Sequence, residues 1–400
     1  MRRVVITGMG AVSPLGMGAE ANMRAMGEGC PGISDLAFQD VERLDIRIGG
    51  QIHGYDETSH FSRQEIALYD RFTQFAVLAA REAVAQAGLD IAGERSGVVL
   101  GTSGGGLNTQ NENFRKVFEA GKNRVHPLVV PRLMNNAAAS HLSMLHGITG
   151  PSYTVSTACA SSNHAMGQAF QIIRAGMADT MLTGGSEAML CFGGIKAWEG
   201  LRVMSKEACR PFSLNRSGMV QGEGAAVFVF EELSHAQARG AEILAEVAGF
   251  AMTSDASDIV MPNVDGAARA ISGALRDARL APESIGYINA HGTGTAANDR
   301  AECEAVRRVF GPAAQGVRIS STKSMHGHLI GGTGAVELLA CILALREGVI
   351  APTINFDMPD PACDLNVVPN VAQQAGVSAT LSNAFAFGGL NAVLALRSAP

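Results

Sequence analysis

Cys159 stands in "YTVSTACASSNHAMGQAF" (Tyr153 to Phe170), where a β-rich run gives way to a helical one. A thiol at that junction meets the unpaired N–H groups and the positive dipole end of the new helix. The setting favours the thiolate and makes the sulfur a candidate nucleophile. Ala160, Ala165, Gly167 and Ala169 give the helix small residues suited to close burial. The plainer reading of a free cysteine is an inert buried side chain. Cys30, Cys191, Cys209, Cys303, Cys341 and Cys363 lack the strand-to-helix setting and read that way.

Imidazoles come from two further stretches. "INAHGTGTAANDRAE" (Ile288 to Glu302) puts His291 just after a strand, facing the crevice where α/β proteins keep their sites. Thr293 and Thr295 alternate with glycine, so their hydroxyls suit a narrow polar tunnel; the alternative is a hydrogen-bonded turn histidine. "SSTKSMHGHLIGGTGAVE" (Ser320 to Glu337) offers His326 and His328. As a strand it would put both on one face, ready to chelate a metal. Gly327, Gly331, Gly332 and Gly334 make a strand poor, and a loop entering a helix fits better. A metal would also claim a nearby Cys159 as a ligand, so no metal is expected. Lys323 and Glu337 read as a buried pair that fixes the loop. In "LSNAFAFGGLNAVLALR" (Leu381 to Arg397), Phe385 and Phe387 precede Gly388 and Gly389. That backbone either aims an N–H into a site or makes a glycine hairpin before an edge strand.

The elements that must position these groups repeat. Strand-like and helix-like runs alternate, as in an α/β protein with buried strands. "SRQE" (Ser62 to Glu65) has capping-box form, and Phe72, Phe75, Ala76, Ala79 and Ala83 continue at helical spacing until Gly88. "AVAQAGL" (Ala83 to Leu89) resembles "ALRDARL" (Ala274 to Leu280), and each is followed by Gly-Thr at the same distance, Gly101-Thr102 and Gly292-Thr293. "VSTACASS…IIRAGM" parallels "SSTKSMHG…LALREGV", and "VVITGMGAV" parallels "LAEVAGFAM". A duplicated βαβα unit follows, with halves 1–245 and 246–400 packed about a pseudo-twofold axis. Cys159 and the Lys323–His328 loop then fall at related strand ends. A thiol and imidazoles at one crevice imply acyl transfer through a thioester.

Composition narrows the partners. The 400 residues carry a net charge of -6 with no long basic run, which argues against nucleic acid. "AVELLACILAL" (Ala335 to Leu345) suits a core helix, and no run is long enough to span a bilayer. "MRRVVITGMG" reads as a first strand rather than a signal peptide. Seven cysteines without regular spacing imply reduced thiols and a cytoplasmic setting.

Taken together, "STACASSNHA", "AHGTGT…ND…E", "SSTKSMHGHLIGGTGAVE", "SNAFAFGGLN" and "RPFSLNRSGMVQGEGA" resemble a β-ketoacyl-[acyl-carrier-protein] synthase of the elongating Cys-His-His group, synthase I/II-like. "KAWEGLRVMSKEACRPFS" and "SNAFAFGG" also look like nodulation-type synthases. The resemblance runs from "RRVVITGMGAVSPLG" to "NAVLALR". It implies a thiolase-type fold: two βαβαβαββ halves forming a five-layer αβαβα sandwich, working as a homodimer without cofactor. It further implies Cys159 as nucleophile and His291 as one catalytic histidine. The other lies five residues after Lys323 and nine before Glu337, which is His328. The backbone N–H groups of Cys159 and Phe387 would form an oxyanion hole, and Lys323 and Glu337 would place the loop. Thr293 and Thr295 match residues that hold a pantetheine arm, and Phe385 and Phe387 stand at the acyl gate.

The resemblance names acyl- and malonyl-loaded acyl-carrier protein as partner, docked through Arg63, Lys122, Arg124 and Arg202; Gln64 and Ala67 fall where some relatives are basic. His326 stands where relatives have Thr, Leu390 where they have Thr, and Ala386 where they have Gly. Gly104 replaces a bulky Ile at the acyl-pocket wall, which leads to the expectation of a roomier pocket. Two alternatives share the fold. A thiolase would carry a second cysteine in its C-terminal glycine loop, which here reads "AFAFGGLN"; a non-catalytic chain-length partner would lack the nucleophile.

Overall fold

The structure is a computed structural model that describes residues 2–400. Ten strands and five helices carry the architecture. In chain order they are β1 (Val4–Ser13), α1 (Arg71–Ala87), β2 (Ser96–Gly101), β3 (Ser152–Val155), α2 (Ser161–Arg174), β4 (Thr180–Glu187) and β5 (Gly224–Glu232). Then follow β6 (Ala245–Ser254), α3 (Val264–Ala278), β7 (Tyr287–Asn289), α4 (Ala296–Phe310), β8 (Arg318–Ser320), α5 (Thr333–Glu347), β9 (Ala379–Ala386) and β10 (Leu390–Arg397).

The strands run in the order β3-β2-β4-β5-β1-β6-β10-β9-β7-β8. Read outward from the middle, each half has the same sequence of partners. In one, β3, β2 and β4 are parallel, and β5 and β1 are antiparallel. In the other, β8, β7 and β9 are parallel, and β10 and β6 are antiparallel. The halves join where Val4–Ile6 of β1 pair with Ala245–Val247 of β6. The structural repeat therefore matches the repeat in the sequence.

Helices α2 and α5 lie between the two five-stranded groups and touch both. Every residue of α5 from Thr333 to Ala344 is buried, which explains why this segment is apolar all round rather than on one face. Helix α1 covers the first group and α3 covers the second, with α4 beside α3. The layers are thus helix, sheet, helix, sheet, helix, the thiolase-type sandwich.

One expectation is corrected. The continuous helix read from Ser62 to Gly88 is two helices. The capping box of Ser62 and Glu65 forms and starts a short helix, Arg63–Leu68. Tyr69 then turns extended, and Asp70 caps α1 by accepting from the Phe72 N–H. The other Asp70 oxygen accepts from Thr109 N–H at 2.7 Å, a partner on a distant segment that fixes the break. Phe72, Phe75, Ala76, Ala79 and Ala83 are buried as their spacing predicts, the two phenylalanines contributing roughly 2 kcal/mol each. No helix among the described residues is long and apolar enough to cross a membrane.

Candidate active site

Cys159 sits between β3 and α2, two residues before the helix begins. The chain reaches it through Ala158 at φ 49, a left-handed conformation that costs a non-glycine residue strain. Ser161 Oγ accepts from Thr157 N–H at 2.9 Å and donates to Ala158 O at 2.6 Å, so the tight turn is held from both ends. The sulfur is thereby presented to a cavity of about 160 Å³.

The expectation of a thiolate stabilised by the helix end is corrected. Burial pushes the Cys159 thiol up to about 11, while the Lys323 ammonium and the N–H groups of Phe387 and Cys159 pull it down only in part. Desolvation outweighs the dipole because the sulfur is enclosed by segments far away in sequence. Alkylation of Cys159 by iodoacetamide is accordingly expected to accelerate roughly tenfold per unit between about pH 7 and about pH 10. Peptide mass at several times and pH values would measure it; a rate that levels off by about pH 8 would contradict a buried neutral thiol.

His291 follows β7, and its backbone is held by one carboxylate and a cation. Glu302 accepts from His291 N–H at 2.9 Å and from Gly292 N–H at 2.8 Å. Asn383 Nδ2 donates to the same carboxylate at 3.1 Å. Lys323 Nζ donates to His291 O and to Glu337 Oε1, each at 2.5 Å. The Lys323–Glu337 pair is fully enclosed, as read from the sequence, and burial holds the Glu337 carboxyl up at about 7 against the pull of the ammonium.

His328 is reached through a short helix, Lys323–His326, and a loop rather than a strand. Ile330 N–H donates to His328 Nδ1 at 3.1 Å, and Thr333 Oγ1 lies 2.8 Å from the same atom. Because Nδ1 accepts from a backbone N–H, the neutral ring carries its proton on Nε2. Nε2 is buried and has no hydrogen-bond partner. His326 differs: its Nδ1 meets Gly327 O at 2.7 Å and its Nε2 meets Thr322 Oγ1 at 3.0 Å. Both of its ring nitrogens are used inside the loop, so it braces rather than faces the cavity.

The reactive atoms of Cys159, His291 and His328 all lie within 4.8 Å of one another. The two rings are 5.5 Å apart and nearly perpendicular. Burial and the Lys323 ammonium push both imidazoles well below their ordinary range, so both are neutral at physiological pH. The same trio could ligate a metal, but a protonated thiol beside a buried ammonium disfavours a divalent cation. Neutral imidazoles beside a thiol suit hydrogen-bond donation to a developing oxyanion.

Thr293 and Thr295 line the cavity, their hydroxyls 2.9 Å apart, together with Phe385, Phe387, Val260 and Met261. Phe385 packs edge-on to His291. Phe387 stacks on Trp198, the chain's single tryptophan, at 6.0 Å. Gly388 and Gly389 both have positive φ and make the hairpin from β9 to β10. That strand is not an edge strand; β6 pairs on its other side. The hairpin is tied down by Gly388 N–H to Ile259 O at 2.8 Å and Asp255 N–H to Gly389 O at 2.9 Å.

The roomier pocket expected at Gly104 is not found. A Cβ there would meet the Met189 thioether at 3.1 Å, so methionine fills the space that glycine leaves. Arg63, Lys122, Arg124 and Arg202 are all exposed. The sequence assigned no role to Glu187, Met189, Trp198 or Glu302. Glu302 and Trp198 stood inside quoted stretches; Glu187 and Met189 act through contacts that no local pattern records.

The chain resembles known proteins along nearly its whole length. Residues 1–236 match the family described as beta-ketoacyl synthase, N-terminal domain, and residues 244–357 match beta-ketoacyl synthase, C-terminal domain. "Nodulation protein E" of Rhizobium leguminosarum bv. trifolii is 46% identical over 399 residues, 99% of each chain. "3-oxoacyl-[acyl-carrier-protein] synthase 2" of Staphylococcus aureus (strain COL) is 40% identical over 406 aligned residues, 99% of this chain and 98% of the relative. The ketosynthase in a solved "type II PKS acyl-carrier protein in complex with its ketosynthase bound to the hexaketide" superposes with a TM-score of 0.90 at 33% identity, covering 100% of both chains.

Proposed function

The chain belongs to the β-ketoacyl synthase family of acyltransferases, and from that premise we propose a mechanism and residue roles. The observation that carries the reading is the trio of Cys159, His291 and His328 within 4.8 Å at one cavity. Acyl-carrier protein brings the acyl thioester, and Cys159 Sγ adds to its carbonyl. The Cys159 and Phe387 N–H groups, which already act on the sulfur, receive the oxyanion. The carrier thiolate leaves with the proton from Cys159. Malonyl-loaded carrier then enters, and its pantetheine arm lies along Thr293 and Thr295. The malonyl group loses CO2, and the enolate oxygen accepts hydrogen bonds from His328 Nε2–H and from His291. The carbanion attacks the Cys159 thioester and gives a β-ketoacyl carrier two carbons longer; the thiolate released takes up a proton.

Further support for the reading is distributed. The names of one relative and one solved structure join a synthase to acyl-carrier protein. Exposed Arg63, Lys122, Arg124 and Arg202 suit an acidic carrier. One edge of β3 is unpaired, and Tyr153, Phe118 and Met144 are exposed, which suits a second copy in a homodimer. The half carrying the nucleophile is 1–245, and the half carrying the histidines is 246–400. All seven cysteines are free, as a reducing cytoplasm would keep them.

Purified protein, acyl-carrier protein with a panel of acyl chains, and malonyl-carrier protein test the reading; a β-ketoacyl carrier two carbons longer is expected. No extended product with any chain would overturn it. Met189→Ala is expected to move the best-used chain toward longer acyl groups by about two methylenes, the room that the side chain vacates. Unchanged chain preference in the same assay would remove Met189 from the pocket wall.

A further inference from the structure

Glu187 ends β4 and takes no part in the steps above, yet it is fully buried. It accepts four hydrogen bonds. Oε1 accepts from Thr102 Oγ1 at 3.0 Å and Gly104 N–H at 3.0 Å. Oε2 accepts from Ser103 N–H at 2.7 Å and Gly331 N–H at 3.0 Å. Three of these donors lie on the segment that packs against Met189; the fourth lies on the loop of His328. A buried carboxylate on one strand with four donors on two other segments is a joint between elements rather than a surface charge.

The contact is close. A Cβ on Gly331 would fall 2.4 Å from Ser103 N and 2.7 Å from Glu187 Oε2, so the loop lies directly on the wall segment. Ser162 Oγ donates to Gly331 O from the other side. Just before Gly331, Ile330 is held at φ 45, a conformation that a β-branched residue adopts only when its surroundings force it. The Ile330 N–H is the group that fixes the tautomer of His328. A chain of contacts therefore runs from the wall segment through Glu187, Gly331 and Ile330 to the His328 ring.

We propose that Glu187 is a positioning residue that couples the Ser103–Gly104 segment, where the family resemblance puts the acyl-pocket wall, to the His328 ring, so that condensation, rather than loading of Cys159, responds to how the acyl chain seats. The inference rests on the roles given above to Cys159 and His328. Glu187→Gln is nearly isosteric but sets an amide NH2 against two of the four donors. Thr102→Val removes one donor and keeps the shape.

The test measures two rates for each protein across the acyl panel: loading of Cys159 by intact mass, and condensation with malonyl-carrier protein. Glu187→Gln is expected to load within about threefold of wild type and to condense at least about tenfold more slowly. Its condensation rate is expected to depend less on chain length. Thr102→Val should change in the same direction by a smaller factor. Parallel losses in both steps would mean a purely structural carboxylate, and two unchanged rates would mean no role; either overturns the proposal. If Glu187→Gln has no cooperative melt, Thr102→Val decides: an unaltered ratio of condensation to loading overturns it. A wild-type protein that neither loads nor condenses would instead overturn the proposed function.

Discussion

Alanine at position 328 is expected to leave an enzyme that takes an acyl group onto Cys159 but condenses it roughly 10²–10³-fold more slowly, the usual cost of removing one preorganised donor to an oxyanion. The donor is Nε2–H, whose direction is set by the Ile330 N–H bond to Nδ1. It is buried and unpartnered in the resting protein, so no bond must break before it meets the enolate. In the proposed mechanism loading does not use this donor, since the Cys159 and Phe387 N–H groups serve that step. The decisive readout is therefore the ratio of the two rates. Equal loss of both would mean that alanine has collapsed the site; unchanged condensation would mean that His291 alone stabilises the enolate.

Replacing Lys323 with methionine is expected to lower the unfolding free energy by roughly 3–5 kcal/mol, because Glu337 is left as a buried charge without its partner. The loss should grow with pH. The Glu337 carboxyl is already held up at about 7 by burial, above its unfolded value of about 4.5, and the lysine was lowering it. A raised folded pKa contributes stability that is present below the unfolded pKa and is lost as pH rises through the folded one. Denaturant midpoints at about pH 5.5 and about pH 8.5 should therefore differ more for Lys323→Met than for wild type. The double variant Lys323→Met/Glu337→Leu should regain most of the stability, since an apolar pair of similar volume replaces the ions. It should not regain condensation, because His291 O still lacks its cation. Recovery of activity by the double variant would show that the pair serves packing alone.

What could be read from the sequence was what depends on local pattern or on repetition. Cys159 was visible because a β-rich run meets a small-residue helix there, and the duplicated strand order was visible in paired segments. What was missed depends on contacts across the sandwich. The break at Tyr69 follows from a bond between Asp70 and Thr109. The upward shift of the Cys159 thiol follows from burial, which no local pattern around the cysteine records. Gly104 suggested space, and Met189, 85 positions on, occupies it. His326 and His328 were equal by residue type, and the family resemblance alone chose His328; the atoms beside each ring supply the physical reason, separating a brace from a donor.

The central claim is that one acyl group passes through Cys159 on its way to a longer chain. The direct measurement is a pulse and a chase. Protein is loaded with an isotopically labelled acyl-carrier protein, the Cys159 peptide is weighed, and malonyl-carrier protein is then added. The label is expected on Cys159 before the chase, and after it on a β-ketoacyl carrier two carbons longer, with loss and gain at the same rate. Product that forms while the Cys159 adduct persists, or without any adduct, would contradict it.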